Sequence, residues 1–187
     1  MVTPPTGKPM RANALANRER ILAAAEAVFG EHGALGSTED VARRANVGIA
    51  TVFRHFPTKE ALIEAALVRH FAQLNEQAAA LAAEPDPAPA LRRLLATMIE
   101  TGATKLTLAT LVGAPPEAVL TAAGELRATI GGLLDRAKAD GAVHADVTVD
   151  EVYLLLRGLS QANAALPPDS ATLQRAIEIV YRGLAPS

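Results

Sequence analysis

Histidines and adjacent acidic pairs are the side chains of this sequence best suited to catalysis. The acidic pairs, Glu39-Asp40 and Asp150-Glu151, stand where helices are predicted to begin, and the helix dipole stabilises carboxylates there. No histidine is four residues from another, so no two share a helix face as metal ligands do. The histidines are His32, His55, His70 and His144. With no glycine-rich phosphate loop, no nucleophile motif and no cysteine, we expect no catalytic residue, no metal site, no cofactor and no enzyme.

Basic residues between positions 43 and 59 suit a different chemistry, the binding of nucleic acid. Arg54 stands on a predicted short helix, where it either faces solvent or reads guanine O6 and N7, as arginine most often does. Lys59 stands in the first turn of a longer helix, an unfavourable place for a cation unless an anion such as a phosphate is close. Arg43 and Arg44 are either solvated or in contact with the phosphate backbone, and we expect one of them to make that contact.

The distribution of charge agrees with a polyanion bound at the front of the chain. Up to Glu60 there are eight basic and six acidic residues, whereas the remainder carries 10 and 14. A basic front on an acidic body indicates that only the front meets nucleic acid. The first residues lack the apolar core of a signal peptide, and no stretch approaches the roughly 18 apolar residues of a membrane span. We therefore expect a soluble, cytoplasmic protein.

Helical periodicity extends over nearly the whole chain and predicts an all-α fold without strands. Residues 1–14, rich in proline and carrying two cations, are predicted to be a flexible basic arm. Glycines and prolines separate the periodic segments. Nine helices are predicted, over about 17–33, 38–45, 49–56, 58–83, 91–101, 105–112, 116–139, 149–166 and 171–184.

Two of the predicted helices are short and follow each other closely. Ser37 or Thr38 caps the first, and Asn46, which tolerates positive φ, stands in the turn before the second. A third helix precedes and braces them. This is the arrangement of a helix-turn-helix, which lays its second helix in the DNA major groove. We assign it to residues 15–57 and assign residues 58–187 to a helical body.

Three runs of this sequence resemble the amino-terminal domain of the TetR family of bacterial transcriptional regulators: RERILAAAEAVFGEHG, STEDVARRANV and GIATVFRHFPTKEAL. The resemblance extends from about Arg18 to Leu62, and the run LLDRAKADGAVHADVTVDEV is similar to a carboxy-terminal domain of one subgroup. It implies a DNA-binding homodimer whose body holds a small-molecule effector. It also implies a phosphate contact for His55, where the alternative is a bond to a nearby backbone carbonyl.

Three positions depart from the family pattern. The family commonly has Tyr where Phe53 stands, so Phe53 keeps the packing and loses a hydrogen bond to phosphate. Glycine is usual at Asn46 and at Ala50, where alanine adds a methyl group next to the DNA. The complete predicted DNA-binding set is Arg43, Arg44, Gly48, Ile49, Ala50, Thr51, Phe53, Arg54, His55 and Lys59.

Residues on the inner faces of the body helices combine adaptable apolar surface with a few polar groups. The predicted pocket residues are His70, Phe71, Met98, Thr101, Leu106, Arg127, Leu134 and Tyr153, each of which is otherwise ordinary core. Arg127 or His70 as polar handle implies an apolar or amphipathic ligand, neutral or anionic. Gly131 and Gly132 inside a helix predict a close neighbour or a bend.

The last two predicted helices carry more apolar surface than one face of each can bury. The predicted dimer interface comprises Val152, Leu155, Leu156, Leu159, Leu173, Ile177, Val180 and Leu184, in a two-fold four-helix bundle. Together these features predict a repressor that binds a palindromic operator as a homodimer and is released by ligand. The alternative is a helical adaptor that binds a partner helix and no DNA.

Overall fold

The computed structural model describes residues 8–166 and 168–186, with side chains from residue 13 onward. This part of the chain is all-α, as expected, and none of its helices is long and apolar enough to cross a membrane. A short 3-10 turn (Gly33–Leu35) separates the first two helices. The helices are α1 (Lys8–His32), α2 (Thr38–Arg44), α3 (Ile49–His55), α4 (Lys59–Ala82), α5 (Pro87–Val112), α6 (Glu117–Ala139), α7 (Val149–Ala165) and α8 (Ser170–Leu184).

Helix α1 begins at Lys8, well before the predicted start near Asn17. Asn17 does not cap the helix; its Oδ1 accepts a hydrogen bond from Arg20 at 2.6 Å. The extension has a simple cause, because proline is tolerated in a first helical turn and residues 10–16 contain no helix breaker. The predicted arm therefore does not extend to residue 14, and its residues 1–7 lie outside the described part of the chain.

Helix α5 is one continuous helix where two were predicted on either side of Gly102. A Cβ placed on Gly102 would lie 2.1 Å from the Ser160 hydroxyl oxygen and 2.5 Å from the Ser160 Cβ. The glycine therefore lets α7 approach α5 closely and does not end the helix. This merger is why the described residues contain eight α-helices and not nine.

Helices α2 and α3 form the predicted helix-turn-helix, which is stabilised by contacts between residues close together in the sequence. The Ser37 hydroxyl accepts a hydrogen bond from the Asp40 amide at 3.1 Å, and the Asp40 carboxylate accepts one from the Ser37 amide at 3.3 Å. Asn46 has φ 52°, which confirms the positive φ predicted for the turn. Val41 and Val52 are fully buried where the helices cross, each contributing about 1.5–3 kcal/mol of hydrophobic stabilisation.

Helix α5 joins the helix-turn-helix unit to the body, since it packs on α1 as well as on α4, α6 and α7. At its contact with α1, a Cβ on Gly30 would lie 2.9 Å from Thr104 Cγ2. Such a short distance means that the two helix backbones approach closely there. A displacement of α5 at this point therefore also displaces α1.

The paired glycines of α6 do not mark a close helix neighbour. A Cβ on Gly131 or Gly132 would meet nothing within 4 Å, so the predicted approach of another helix is wrong. Helix α6 also continues without interruption through both residues.

Candidate DNA-binding face and ligand cavity

Helix α3 turns its predicted base-reading side chains to solvent and buries its opposite side. Val52 is fully buried and Phe56 is 4 % exposed, whereas Phe53 is 45 % exposed. Arg54 is also exposed and forms no ion pair with another described residue. The other predicted residues of this helix and its cap are exposed or half-buried: Gly48, Ile49, Ala50, Thr51 and His55. The second helix of the motif therefore offers a continuous face of the kind that enters a major groove.

The two arginines of α2 are engaged in exposed ion pairs. Arg43 lies 2.5 Å from the Asp40 carboxylate, and Arg44 lies 2.8 Å from that of Glu31 on α1. The hydrogen bond from Arg44 lowers the pKa of Glu31. Exposed pairs of this kind are weak, so a DNA phosphate could displace either carboxylate.

Lys59 contacts other residues of its own chain in the structure. Its Nζ donates a hydrogen bond to the Ala34 carbonyl at 3.0 Å and lies 5.4 Å from the centre of the Phe29 ring. A backbone carbonyl and an aromatic face therefore offset the unfavourable position of a cation in the first turn of α4. The phosphate contact predicted for Lys59 stays a prediction.

A cavity of about 480 Å³ lies between α5, α6 and α7. Four of the eight predicted pocket residues line it: Met98, Leu106, Arg127 and Tyr153. The Arg127 guanidinium lies 2.5 Å from the Asp150 carboxylate and 5.1 Å from the centre of the Tyr153 ring. Burial raises the pKa of Tyr153. The cavity has the size of a small-molecule site and combines apolar walls with a few polar groups.

The cavity also contains polar residues that were not predicted. Lys105, Arg157 and Ser160 line it together with Asp150. Burial lowers the pKa of Lys105, and the positive charge of Arg157 lowers it further. The available signal was the position of Lys105, seven residues after Met98 and therefore on the same face of α5.

A second cavity, of about 360 Å³, lies between α1, α4 and α5 and contains His70 and Thr101. His70 is buried, and its Nδ1 lies 3.4 Å from the Glu26 carboxylate, which also accepts a hydrogen bond from Arg69 at 2.5 Å. This network ties α4 to α1. Six of the eight predicted pocket residues therefore lie in two separate cavities.

Phe71 and Leu134 are core residues and do not line either cavity. Leu134 is 1 % exposed on the inner side of α6, and Phe71 is 9 % exposed on α4. Both side chains are enclosed by the packed core, and the pocket role of these two residues stays a prediction.

Comparison with known proteins relates this architecture to a family. A family model described as the C-terminal domain of SbtR-like transcriptional regulators matches residues 86–186, and one for bacterial regulatory proteins of the tetR family matches residues 21–66. The chain is 33 % identical to a TetR transcriptional regulator from Streptomyces coelicolor, with a TM-score of 0.78 over 91 % of this chain and 99 % of that one. The chain belongs to the TetR family.

Two further comparisons agree with this assignment. A TetR-family regulator from Mycobacterium vanbaalenii is 31 % identical, with a TM-score of 0.77 over 95 % of this chain and 100 % of that one. A gamma-butyrolactone receptor is 22 % identical with a TM-score of 0.67, over 92 % of this chain and 90 % of that one, and shares the fold. No curated protein matches the chain.

The family assignment establishes a transcriptional regulator. TetR-family regulators bind DNA, commonly act as dimers with small-molecule effectors, and are typically not enzymes.

The predicted dimer interface of this TetR-family chain requires correction. Four of its residues, Val152, Leu156, Ile177 and Leu184, are at most 6 % exposed because they pack into the core of their own subunit. The other four, Leu155, Leu159, Leu173 and Val180, are exposed or half-buried. Apolar side chains that do face solvent on α7 and α8 include Leu154, Leu166 and Ile179, which are 72 %, 81 % and 69 % exposed.

Proposed function

We propose that this TetR-family regulator is a repressor that binds a palindromic operator as a homodimer and is released by a small molecule. Its helix-turn-helix unit, residues 15–57, holds the DNA, and its body, residues 58–187, binds the ligand and the second subunit. Regulators of this family bind DNA and commonly act as dimers with effectors, which supports the general scheme.

The observation that carries the proposal is the position of two consecutive residues on α5. Thr104 packs against Gly30 of α1, and Lys105 lines the cavity between α5, α6 and α7. A ligand that displaces α5 at Lys105 therefore displaces the contact with α1 as well. This connects the cavity to the helix-turn-helix unit through one rigid element.

The proposed response depends on the spacing of the two DNA-binding units. Half-sites of a palindrome lie about 34 Å apart or a multiple of that distance, so the two α3 helices must match it. A ligand lowers operator affinity only to the extent that it binds the mismatched state more tightly than the matched one.

On the DNA, we expect Arg54 to contact bases and the other polar residues to contact phosphates. Thr51, His55 and Lys59 belong to the second group, with either Arg43 or Arg44. The exposure of Arg54 and its lack of an ion pair with any described residue support its role.

Electrophoretic retardation of the DNA upstream of its own gene tests the proposal. Binding should weaken as salt rises, with a slope of about −0.9 per phosphate neutralised. Arg54→Ala should reduce the preference for the operator over other DNA, whereas Lys59→Ala should weaken binding to all sequences alike. Arg93→Ala is the matched control, because Arg93 lies on α5 and pairs with Glu84.

If the folded protein retards no DNA at any salt concentration, DNA binding is refuted and the adaptor function gains support. Circular dichroism must show the same helicity for every variant, so that lost binding is not lost folding.

The exposed apolar side chains of α7 and α8 support the proposed dimer. Leu154, Leu166 and Ile179 would be costly to leave in water, and a second copy of the same surface covers them in an isologous contact. Sedimentation equilibrium tests it: a chain that stays monomeric at micromolar concentration would refute both the dimer and the half-site mechanism.

A further inference from the structure

The cavity between α5, α6 and α7 holds more positive than negative charge. Three cations line it, Lys105, Arg127 and Arg157, against one carboxylate, Asp150. Arg127 is neutralised by Asp150 at 2.5 Å and stacks on Tyr153. Within the described part of the chain, Lys105 and Arg157 form no ion pair. Two uncompensated cations therefore share one cavity.

This arrangement is unfavourable for Lys105 in the free protein, whereas Arg157 lies at the exposed side of the cavity. Lys105 is partly buried, and both its burial and the nearby Arg157 disfavour its charged form, which lowers its pKa. Buried cations are normally paired with a carboxylate. A bound anion between the two side chains would stabilise the charged form of Lys105 and offset both its burial and its repulsion by Arg157.

The remaining walls of the cavity are mostly apolar. Met98 and Leu156 are each 4 % exposed and lie at its inner side, and Leu106 and Leu154 extend the apolar surface. The site therefore offers cations for a head group and hydrocarbon for the rest of a ligand.

We propose that this cavity binds an amphipathic carboxylate, whose head group is held by Lys105 and Arg157 and whose apolar part lies against Met98, Leu106 and Leu156. The inference rests on the proposed function and specifies the chemical class of its effector. Arg127 is paired with Asp150 in the free protein, so it is not assigned to the head group.

The tyrosines of this chain provide a direct probe of the cavity. The sequence has no Trp and two Tyr, Tyr153 in the cavity and Tyr181 on α8 with its hydroxyl bonded to Ala88. In a Tyr181→Phe variant the fluorescence comes from Tyr153 alone. In a Tyr153→Phe variant it comes from Tyr181, which serves as the control for changes elsewhere.

Titration without DNA would compare decanoate, decanol and decylamine, which share one chain and differ in the head group. We expect decanoate to bind at least about tenfold more tightly than decanol, with decylamine weakest, and the signal to come from Tyr153. Tenfold corresponds to about 1.4 kcal/mol. The proposal is overturned if decanoate does not bind, or if decanol or decylamine binds as tightly.

Three variants separate the head group from the apolar part. Lys105→Met and Arg157→Met should each weaken decanoate binding about tenfold and leave decanol binding unchanged. Arg93→Met, on the same helix as Lys105 but paired with Glu84, should change neither. Equal loss of both probes in the first two variants would show a general collapse of the cavity and refute the assignment.

A second measurement needs no ligand. Because Lys105 is a partly buried cation beside Arg157 and forms no ion pair with another described residue, Lys105→Met should raise the melting temperature of the free protein by a few degrees, whereas Arg93→Met should not. A lowered melting temperature would show that the protein itself neutralises Lys105 and would contradict the inference. DNA retardation is measured separately from ligand binding. If the protein binds decanoate selectively but does not retard DNA, only the proposed function is rejected. If it retards DNA but shows no selectivity for decanoate, only the ligand class is rejected.

Discussion

The contact between Gly30 and Thr104 can be tested by adding one methyl group. In Gly30→Ala, the new Cβ would lie 2.9 Å from Cγ2, 3.0 Å from Oγ1 and 3.4 Å from Cβ of Thr104. The first two distances are too short, and rotation of the threonine leaves at least one of its two γ atoms close to the new Cβ, so α1 and α5 must shift apart by a few tenths of an ångström. Overpacking costs about 1–3 kcal/mol, and alanine in a helix interior recovers roughly 1 kcal/mol relative to glycine. We expect a net loss of about 0–2 kcal/mol in the free energy of unfolding.

Urea denaturation at fixed protein concentration measures this loss, and a double-mutant cycle assigns it to the contact. Thr104→Ala removes the colliding Cγ2 and Oγ1, so the double variant keeps the helix-forming gain without the overpacking. The coupling between the two changes should be favourable by about 1–3 kcal/mol. Gly132→Ala is the matched control: it adds the same methyl group to an exposed helix position with nothing within 4 Å, and should stabilise by about 1 kcal/mol.

The same contact can also be tested through function, by measuring how strongly a ligand reduces operator binding. Gly30→Ala should alter that response, and the double variant should restore it. The reasoning is refuted if Gly30→Ala stabilises the protein as much as Gly132→Ala does and the two changes in the cycle simply add. In that case α5 would not transmit movement to α1 through this contact.

Three further predictions follow from single contacts. Gly102→Ala should lower the melting temperature more than Gly30→Ala, since its Cβ would lie 2.1 Å from Ser160 Oγ, and Ser160→Gly should restore it. Phe53→Tyr should raise affinity for all DNA sequences up to about tenfold by adding a hydrogen bond to phosphate, measured by retardation; unchanged affinity would exclude a phosphate there. Ile179→Asp should give folded monomers in sedimentation, whereas buried Ile177→Asp should lose helicity, and an intact Ile179→Asp dimer would exclude this part of α8 from the interface.

The helix-turn-helix was predictable in detail because its signals are local. The cap predicted at Ser37 or Thr38 and the positive φ predicted at Asn46 depend on residues a few positions away, and the structure confirms both, with Ser37 as the cap. Backbone preferences of this kind act before any tertiary contact forms.

The role of Gly102 could not be predicted from its neighbours in sequence. A glycine inside a helical pattern indicates either a break or a close approach, and the atom that decides between them, Ser160 Oγ, lies on another helix. Periodicity therefore divided α5 into two helices.

Four of the predicted dimer residues lie in the subunit's own core, and four of the predicted pocket residues lie outside the cavity between α5, α6 and α7, for a related reason. Periodicity shows that one side of α7 is apolar but does not distinguish the subunit's own core, which takes Val152 and Leu156, from the solvent-facing side that holds Leu154. Lys105 and Arg157 were missed because charged residues are usually placed in solvent. Lys105 departs from that rule because it is partly buried in the cavity, whereas Arg157 lines the cavity and stays exposed.

The close contacts of α5 limit the movements that a bound ligand can cause. Gly102 already touches Ser160 on α7, and Thr104 already touches Gly30 on α1, so α5 cannot move closer to either helix. A ligand beside Lys105 can therefore only slide α5 along its neighbours or move it away from them. Under the proposed function, either movement would change the position of α1 relative to the body. In the proposed dimer they would alter the separation of the two α3 helices, which is the distance that the half-sites of a palindromic operator must match.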